Sequence, residues 1–278
     1  MNRREFTAGL GMGAIYLGLG MPVSAANKKP QVAITIDDFN WNKSVKLNPD
    51  ERNRAILGAL KLHNLQAALF VAGRYADNEK GQGLLREWDR AGHLIGNHSY
   101  SHRYLNSSKV TAEDFNADIL KGEEVIKSFP HFQKSFRFPY LKEGDSATER
   151  DAVRAFLHQH GYRIGHVTID ASDWAVDDRL SARLTKEPTA DLKPYRDFYL
   201  AHMWERAVYY DDLSRKVLGR SVKHTILMHY NLLNALFLGD LLDMFKGKGW
   251  KLIDASEAFK DPVFTAEPKI VPAGESII

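Results

Sequence analysis

The feature that most constrains this chain is an alternation of short apolar, β-branched runs with longer segments of helical periodicity. Such runs predict buried strands, and the segments between them predict helices. Strands that alternate with helical crossovers form a parallel sheet, either open or closed. The length of 278 residues leaves room for two small domains or one barrel. Because no linker or internal repeat interrupts the alternation, we expect an α/β fold with a single barrel-like domain over residues 27–278.

The predicted elements follow one another along the whole of this domain. Strands are predicted at residues 31–36, 67–72, 93–96, 136–138, 162–169, 225–228 and 250–253. Helices are predicted from Pro49, and then at about 83–91, 111–128, 147–160, 187–219 and 232–245. This amounts to about seven βα units.

The first 26 residues predict an export signal rather than part of the fold. Arg3 and Arg4 precede a charge-free stretch that begins at Thr7, and residues 23–25 form a small-residue cleavage pattern. Residues 2–6 resemble a twin-arginine signal, which exports folded proteins across a bacterial inner membrane. An uncleaved membrane anchor is the alternative, although several glycines make the stretch a poor membrane span. We therefore expect the mature protein in the periplasm, with membrane contact only through this signal.

Composition excludes several kinds of chemistry. The chain has no cysteine, so disulfides, a thiol nucleophile and thiolate zinc sites are ruled out, and any metal must be held by His, Asp or Glu. A net charge of +3 gives no reason to expect a nucleic-acid partner. No glycine-rich phosphate loop follows a predicted strand, which disfavours nucleotide binding.

Polar residues cluster at the ends of five predicted strands. The clusters are Asp37-Asp38, residues 98–102, residues 137–140, residues 170–174 and His229. Catalytic groups of parallel barrels lie at the carboxyl ends of the strands, so these clusters should converge on one mouth.

Two of these clusters supply candidate metal ligands. His98 and His102 are four residues apart, a spacing that places both imidazoles on one side of a helical turn. With an aspartate from Asp37-Asp38 they offer two nitrogens and one oxygen, and they leave a position open for water. Taken alone, an aspartate pair after a strand is more often a turn that caps backbone groups. An isolated pair of histidines at this spacing is more often one surface and one hydrogen-bonded core side chain.

All five clusters, in order and spanning residues 35–229, resemble the motifs of the polysaccharide deacetylases, carbohydrate esterase family 4. The motifs are Thr35-Ile36-Asp37-Asp38, residues 92–102, Arg137-Phe138-Pro139-Tyr140, residues 170–174 and Leu227-Met228-His229. The resemblance implies a distorted (β/α) barrel. It also makes the long helical stretch at 175–222 an insertion before the last catalytic strand.

By this resemblance, Asp38, His98 and His102 are the ligands of a divalent metal, and Asp37 is the general base. Zn²⁺ is the favoured ion, with Co²⁺ or Ni²⁺ as alternatives, since nitrogen and oxygen ligands accept several. The family's reaction is attack of metal-bound water on an acetyl carbonyl.

The resemblance gives roles to four further residues near the metal. Arg137 orients the base, and a guanidinium can do so through a bidentate pair. The backbone N–H of Tyr140 stabilises the oxyanion. His229 is the general acid for the leaving amine, and Asp173 holds its imidazole and raises its pKa.

Three apolar residues are candidates for contact with substrate. By resemblance, Trp174 and Leu227 line a pocket for the acetyl methyl, although ordinary core packing is the alternative for both. Trp41 follows the aspartate pair closely and is a candidate sugar subsite at the mouth.

The predicted function is hydrolysis of N- or O-acetyl groups on a polysaccharide or oligosaccharide. An amide or cyclic-imide hydrolase that uses the same metal site is one alternative, and a non-catalytic exported carbohydrate-binding protein is another. A 2-His-1-carboxylate iron oxygenase fits less well, because it leaves Arg137, Asp173 and His229 without roles. The sequence leaves the oligomeric state open.

Overall fold

The computed structural model describes residues 29–42, 45–271 and 276–278. The predicted export signal lies outside these residues. Within the described part, no helix has both the length and the apolarity needed to cross a membrane.

Within the described residues the strands form one parallel sheet that curls into an incomplete barrel. They are β1 (Gln31–Asp38), β2 (Ala68–Val71), β3 (Leu94–Asn97), β4 (Phe132–Phe136), β5 (Arg163–Ile164), β6 (Lys223–His229) and β7 (Lys251–Leu252). The order is β5-β4-β3-β2-β1-β6, and β7 pairs with the first two residues of β1. The predicted α/β barrel of about seven units is therefore confirmed.

The crossovers between these strands are helical, as predicted. The helices are α1 (Pro49–Leu62), α2 (Glu79–Arg90), α3 (Ala112–Ile126), α4 (Ala147–Gln159), α5 (Asp173–Lys186), α6 (Lys193–Leu218), α7 (Leu232–Gly247) and α8 (Ala255–Ala258). Side-chain caps start several of them: Asn48 and Glu51 form a capping box on α1, and Thr111 and Ser146 cap α3 and α4. The predicted helical insertion consists of α5 and α6.

The two faces of β1 explain how the barrel places polar groups inside. Val32, Ile34 and Ile36 belong to the main hydrophobic core, which the surrounding helices complete. Ala33 belongs to a separate cluster with Ala68 and Phe70 inside the barrel. Because side chains alternate along a strand, Thr35 and Asp37 share the inward face with Ala33. The first strand thus carries a carboxylate into the mouth of the barrel.

The structure differs from the prediction at residues 162–169, which do not form one strand. The chain pairs with β4 only through β5, and Ile169 then pairs with Ile226 of β6. The crossing passes Gly165, where a Cβ would lie 2.5 Å from the Phe70 ring. Only glycine therefore fits at this position without moving that ring. The crossing segment joins the two edges of the sheet and closes the barrel at this point.

A second difference concerns the strand predicted at 136–138. β4 ends at Phe136, so Arg137 and Phe138 lie just beyond it, and a short 3-10 turn follows at Pro139–Leu141. The backbone N–H of Arg137 still donates to the Asn97 carbonyl of β3 at 3.0 Å, and its side chain reaches Asp37 on β1.

Candidate active site

Asp37 and Asp38 reach the same site because the backbone turns at the end of β1. Asp38 has φ of 76° and Phe39 has φ of 59°, both in the left-handed region. The Phe39 side chain is fully buried and fixes this turn in the core. Asp37 stays on the inward face of the strand, and the turn brings Asp38 around to the barrel mouth.

The two histidines are brought together by a loop, so the prediction that they share a helical turn is wrong. His98 directly follows β3, and the loop contains two left-handed residues, Ser99 at φ 61° and His102 at φ 58°. The backbone N–H of His102 donates to Ser99 Oγ at 3.1 Å. The ring centroids of His98 and His102 are 4.9 Å apart.

The orientation of His98 suits a metal ligand. Its Nδ1 lies 2.8 Å from the backbone carbonyl oxygen of Arg137. Because a carbonyl only accepts, Nδ1 carries the proton, and the lone pair is left on Nε2. That Nε2 faces Asp38.

Asp38, His98 and His102 offer ligand atoms that all lie within 4.8 Å of one another. Asp38 Oδ1 is 3.1 Å from His102 Nε2 and 3.5 Å from His98 Nε2. This oxygen is buried and has no well-formed hydrogen bond within the described part of the chain. A divalent cation would satisfy it together with both imidazoles, so these residues fit the predicted metal site.

The electrostatics of Asp38 agree with a cation site. Burial by itself would raise its pKa, but contacts with His102 and His98 and the charge of His229 hold the pKa well below its ordinary value. The carboxylate is therefore ionised, as a metal ligand must be.

Asp37 is held by a buried arginine. Arg137 Nη1 donates to Asp37 Oδ1 at 2.6 Å and to Thr35 Oγ1 at 2.9 Å, while Nε donates to the Gly165 carbonyl at 2.7 Å. The predicted bidentate pair is not formed: only Nη1 reaches Asp37, Nε is used by the crossing segment, and the buried Nη2 has no hydrogen-bond partner among the described residues. Asp37 Oδ2 lies 3.8 Å from His98 Nε2 and faces the candidate metal position.

Asp173 and His229 form a second buried pair at the mouth. His229 Nδ1 is 2.6 Å from Asp173 Oδ1, and Asp173 Oδ2 accepts the backbone N–H of His229 at 3.0 Å. Burial lowers the pKa of His229, but the Asp173 carboxylate more than offsets this and raises it to about 10. In turn, the His229 charge and several hydrogen bonds overcome burial and lower the pKa of Asp173. His229 therefore carries a proton that it can donate.

Two asparagines that the sequence did not predict as site residues donate hydrogen bonds to Asp173. Asn231 and Asn234 donate to Asp173 Oδ2 at 2.9 and 2.7 Å, and the Tyr199 hydroxyl donates to Asn234 Oδ1 at 2.6 Å. Asn231 was detectable as a helix cap, because it precedes the apolar helix α7 and accepts from Asn234 N. Nothing in the sequence pattern marked Asn234, since its partner lies 61 residues away.

The remaining predicted residues lie at different depths. Tyr140 sits in its turn at φ 59°, and its exposed ring meets the His102 ring edge-on at 4.7 Å. Trp174 is 54% exposed and lines a cavity of about 120 Å³ with Asp38 and His229. Leu227 is buried on the same side of β6 as His229. Trp41 donates its indole N–H to the Tyr75 carbonyl at 2.6 Å and packs against the main core.

Fold and site together define a parallel (β/α) barrel with a candidate metal centre at the carboxyl ends of its strands. The chain belongs to the polysaccharide deacetylase family, whose sequence model matches residues 24–165. The matched region contains Asp37, Asp38, His98, His102 and the Arg137 motif. Asp173 and His229 lie beyond it.

The known proteins to which this chain is similar include named deacetylases and members of carbohydrate esterase family 4. A peptidoglycan-N-acetylglucosamine deacetylase of Bacillus cereus is 35% identical over 153 residues, which are 54% of this chain and 49% of that protein. The chain thus matches about half the length of this relative.

Solved structures with a similar fold form the second comparison. The chitin deacetylase structure from Colletotrichum lindemuthianum superposes with a TM-score of 0.56 at 21% identity, and the match covers 83% of this chain and 88% of that one. A family 4 pseudoenzyme from Bacillus anthracis has a TM-score of 0.58 at 19% identity, with 83% and 66% covered. At such identities the structures show a shared fold.

Proposed function

We propose that this protein is a metal-dependent hydrolase that removes acetyl groups from a polysaccharide or its oligosaccharides. One observation carries the proposal: Asp37 and His229 both border the Asp38–His98–His102 cluster. Arg137 holds the first and Asp173 the second. A base and an acid beside an electrophilic centre is the arrangement that amide hydrolysis needs.

The site residues would divide the reaction between them. A divalent cation held by Asp38, His98 and His102 would supply a Lewis acid for the carbonyl oxygen and lower the pKa of water. Asp37 Oδ2 accepts the proton of the attacking water, while Arg137 keeps Oδ1 fixed. His229 then donates its proton to the leaving nitrogen, and Asp173 stabilises the imidazolium until that transfer.

Other predicted residues would bind the substrate. The backbone N–H of Tyr140, beside the ring of His102, is the candidate oxyanion donor. Trp174 lies at the open cavity, and Leu227 lies deeper on the same side as His229, so the two would contact the acetyl methyl. Trp41 remains a candidate sugar contact, although its indole N–H is already engaged.

The favoured substrate class is an N-acetylated glycan. Relatives are named as deacetylases of peptidoglycan N-acetylglucosamine and of chitin. A protonated His229 also suits a nitrogen leaving group, which needs a proton more than an alkoxide does. We therefore place N-acetyl ahead of O-acetyl hydrolysis, and Zn²⁺ ahead of Co²⁺ or Ni²⁺.

Acetate release tests the proposal directly. The purified protein is incubated with N-acetylchitooligosaccharides, peptidoglycan, acetylated xylan and a cyclic imide, each with and without chelator. We expect release from a glycan that chelator abolishes and that His98→Ala removes. His158→Ala, at an exposed histidine on α4, is the matched control. Release that survives both chelator and His98→Ala would refute metal dependence. Turnover of the imide alone would replace a glycan with a non-sugar substrate, and no turnover at all would favour a carbohydrate-binding role.

We also propose export to the periplasm through residues 1–26. A reporter fused after residue 26 should be exported, and replacement of Arg3 and Arg4 by lysine should stop export. A reporter that stays in the cytoplasm with the native segment would refute the proposal.

A further inference from the structure

We propose that Asp118 of α3 is a positioning residue for the candidate metal centre, because it holds the loop between His98 and His102. It acts through Ser101, which lies between these two ligands in the sequence, and through the loop backbone. This inference rests on the proposed function for the identity of the metal centre. It adds to that function a residue that sets the affinity for the metal.

Three hydrogen bonds join Asp118 to the loop. Its Oδ2 accepts the backbone N–H of Ser101 at 2.9 Å, and its Oδ1 accepts the Ser101 hydroxyl at 2.8 Å. The backbone carbonyl of Asp118 accepts the N–H of Tyr100 at 3.0 Å. Asp118 is 7% exposed, so water competes little for these bonds. One residue of α3 therefore satisfies the backbone donors of two successive loop residues.

The loop needs such support because its backbone is strained. Ser99 and His102 both have left-handed φ values, which are unfavourable for residues with a Cβ. Such conformations persist only where the surrounding structure holds them. The carbonyl groups of Ser99 and Tyr100 accept from N–H groups of the 3-10 turn at Gly73–Tyr75, both at 2.9 Å. Asp118 thus holds donors of the loop, while this turn holds its acceptors.

Close packing fixes the position of α3 relative to the loop. Gly122 lies one helical turn after Asp118, on the same face of α3. A Cβ at Gly122 would lie 2.8 Å from Asn97 Oδ1 and 2.8 Å from the carbonyl carbon of Ser99. The helix therefore lies directly against the start of the loop, and Asp118 reaches the loop from a fixed backbone.

His102 depends on the loop more than His98 does. His98 directly follows β3, and its ring is oriented by the Arg137 carbonyl. The backbone N–H of His102 donates to Ser99 Oγ within the loop. Asp118 therefore fixes His102 relative to the other ligands. Ligands that are held before the metal arrives bind it more tightly, and loss of an outer hydrogen-bond partner lowers metal affinity about 10- to 100-fold.

Zn²⁺ affinity tests this role without the reaction. Chelator-treated wild type, Asp118→Asn and Ser101→Ala are titrated with Zn²⁺ by calorimetry, and the d–d absorption spectrum of bound Co²⁺ is recorded for each. Asparagine keeps the size of the Asp118 side chain, but its amide cannot accept both bonds from Ser101. We expect Asp118→Asn to raise the Zn²⁺ Kd about tenfold and to change the Co²⁺ spectrum. Ser101→Ala removes only the hydroxyl bond and should raise the Kd about threefold.

Asp89→Asn is the matched control. Asp89 is a buried aspartate of α2 that accepts the backbone N–H of His131 at 2.8 Å and lies 3.0 Å from its Nδ1. His131 precedes β4, at the end of the sheet opposite the candidate site. Asp89→Asn should therefore keep the wild-type Zn²⁺ Kd and Co²⁺ spectrum. An equal loss of affinity in Asp89→Asn would assign the effect to general destabilisation and would refute the role of Asp118.

The outcomes keep this inference distinct from the proposed function. A wild-type Kd and Co²⁺ spectrum in Asp118→Asn refute the positioning role, even if the protein hydrolyses acetyl groups. If the wild type binds Zn²⁺ but hydrolyses no glycan, the proposed function fails, and an about tenfold higher Kd of Asp118→Asn still supports the role. If Asp118→Asn does not fold, Ser101→Ala decides, and an unchanged Kd refutes the role. A wild type that binds neither Zn²⁺ nor Co²⁺ refutes both.

Discussion

Asp37 and His229 are register partners on the adjacent parallel strands β1 and β6. Their surroundings give them opposite hydrogen-bonding roles: the Asp37 carboxylate accepts from Arg137, and the Asp173 carboxylate holds a proton on His229. A fixed acceptor beside a proton donor is the arrangement that a base and an acid of one reaction need. Neighbouring strands are spaced about 4.8 Å apart, so both groups can reach one substrate.

Replacement of the two adjacent aspartates should have different effects. Asp37→Asn should keep bound metal and lower kcat at least about 10²-fold, because the amide cannot accept the proton. Asp38→Asn should lose the metal itself, since Asp38 is the proposed oxygen ligand. Metal content by mass spectrometry, measured beside acetate release, checks both. Loss of metal from Asp37→Asn would mean that the roles of base and ligand are reversed.

The His229–Asp173 pair should make stability depend on pH. The pKa of His229 rises in the fold from 6.5 to about 10, so its contribution is complete below 6.5 and is lost as the pH rises towards 10. Asp173, whose pKa is lowered, contributes above 3.8 and loses that contribution as the pH falls. Urea unfolding of chelator-treated protein should therefore show a falling free energy between pH 6.5 and 10.

His229→Gln is the control for this pH dependence, because glutamine has no proton to lose in this range. Its free energy of unfolding should change less between these pH values than that of the wild type. Parallel curves for the two proteins would show that His229 titrates near its ordinary pKa.

Removal of the Asn234 side chain should weaken the support of Asp173. Asn234→Ala takes away one donor from a fully buried carboxylate, which should cost about 1–3 kcal/mol of unfolding free energy. Tyr199→Phe removes only the donor to Asn234, so its cost should be smaller. Urea denaturation measures both. If Tyr199→Phe lowers the free energy of unfolding more than Asn234→Ala does, the conclusion that Asn234 supports Asp173 directly is wrong.

Two glycine substitutions should change stability in opposite directions. Gly165→Ala places a methyl group 2.5 Å from the Phe70 ring, over which the Arg137 guanidinium lies, and should destabilise the protein by about 1–3 kcal/mol. Gly58→Ala, at an exposed position inside α1 with nothing within 4 Å, should stabilise it by about 0.5–1 kcal/mol. Thermal unfolding of both variants measures the difference. A tolerated Gly165→Ala would show that the crossing segment is not tightly packed.

Much of the fold and the site could be predicted because the deciding signals are local. The alternation along β1 separates the core side chains Val32, Ile34 and Ile36 from the inward Asp37, and this pattern is readable in eight residues. The caps of α1 and α3 are contained within four residues each. Polar residues at strand ends then had to meet, because parallel strands share one carboxyl edge.

What escaped prediction depends on contacts between distant parts of the chain. The sequence does not show that the run at 162–169 divides between β5 and Ile169, because these two parts pair with strands far apart in the chain. It predicts a helical turn for His98 and His102, while packing imposes left-handed residues at Ser99 and His102. Arg137 meets Asp37 through Nη1 only, while its Nε donates to the Gly165 carbonyl of the crossing segment.

By itself the sequence determined a parallel barrel and the candidate donor atoms at its mouth, because without cysteine any metal has to be held by histidine, aspartate or glutamate. Only the tertiary structure decided how those donors are aimed and supported. The backbone carbonyl of Arg137 orients His98, and Asn234 reaches Asp173 across 61 residues. Local sequence patterns indicate which side chains are buried. The orientation of a buried polar side chain depends on its hydrogen-bond partner, which is a distant residue in the sequence.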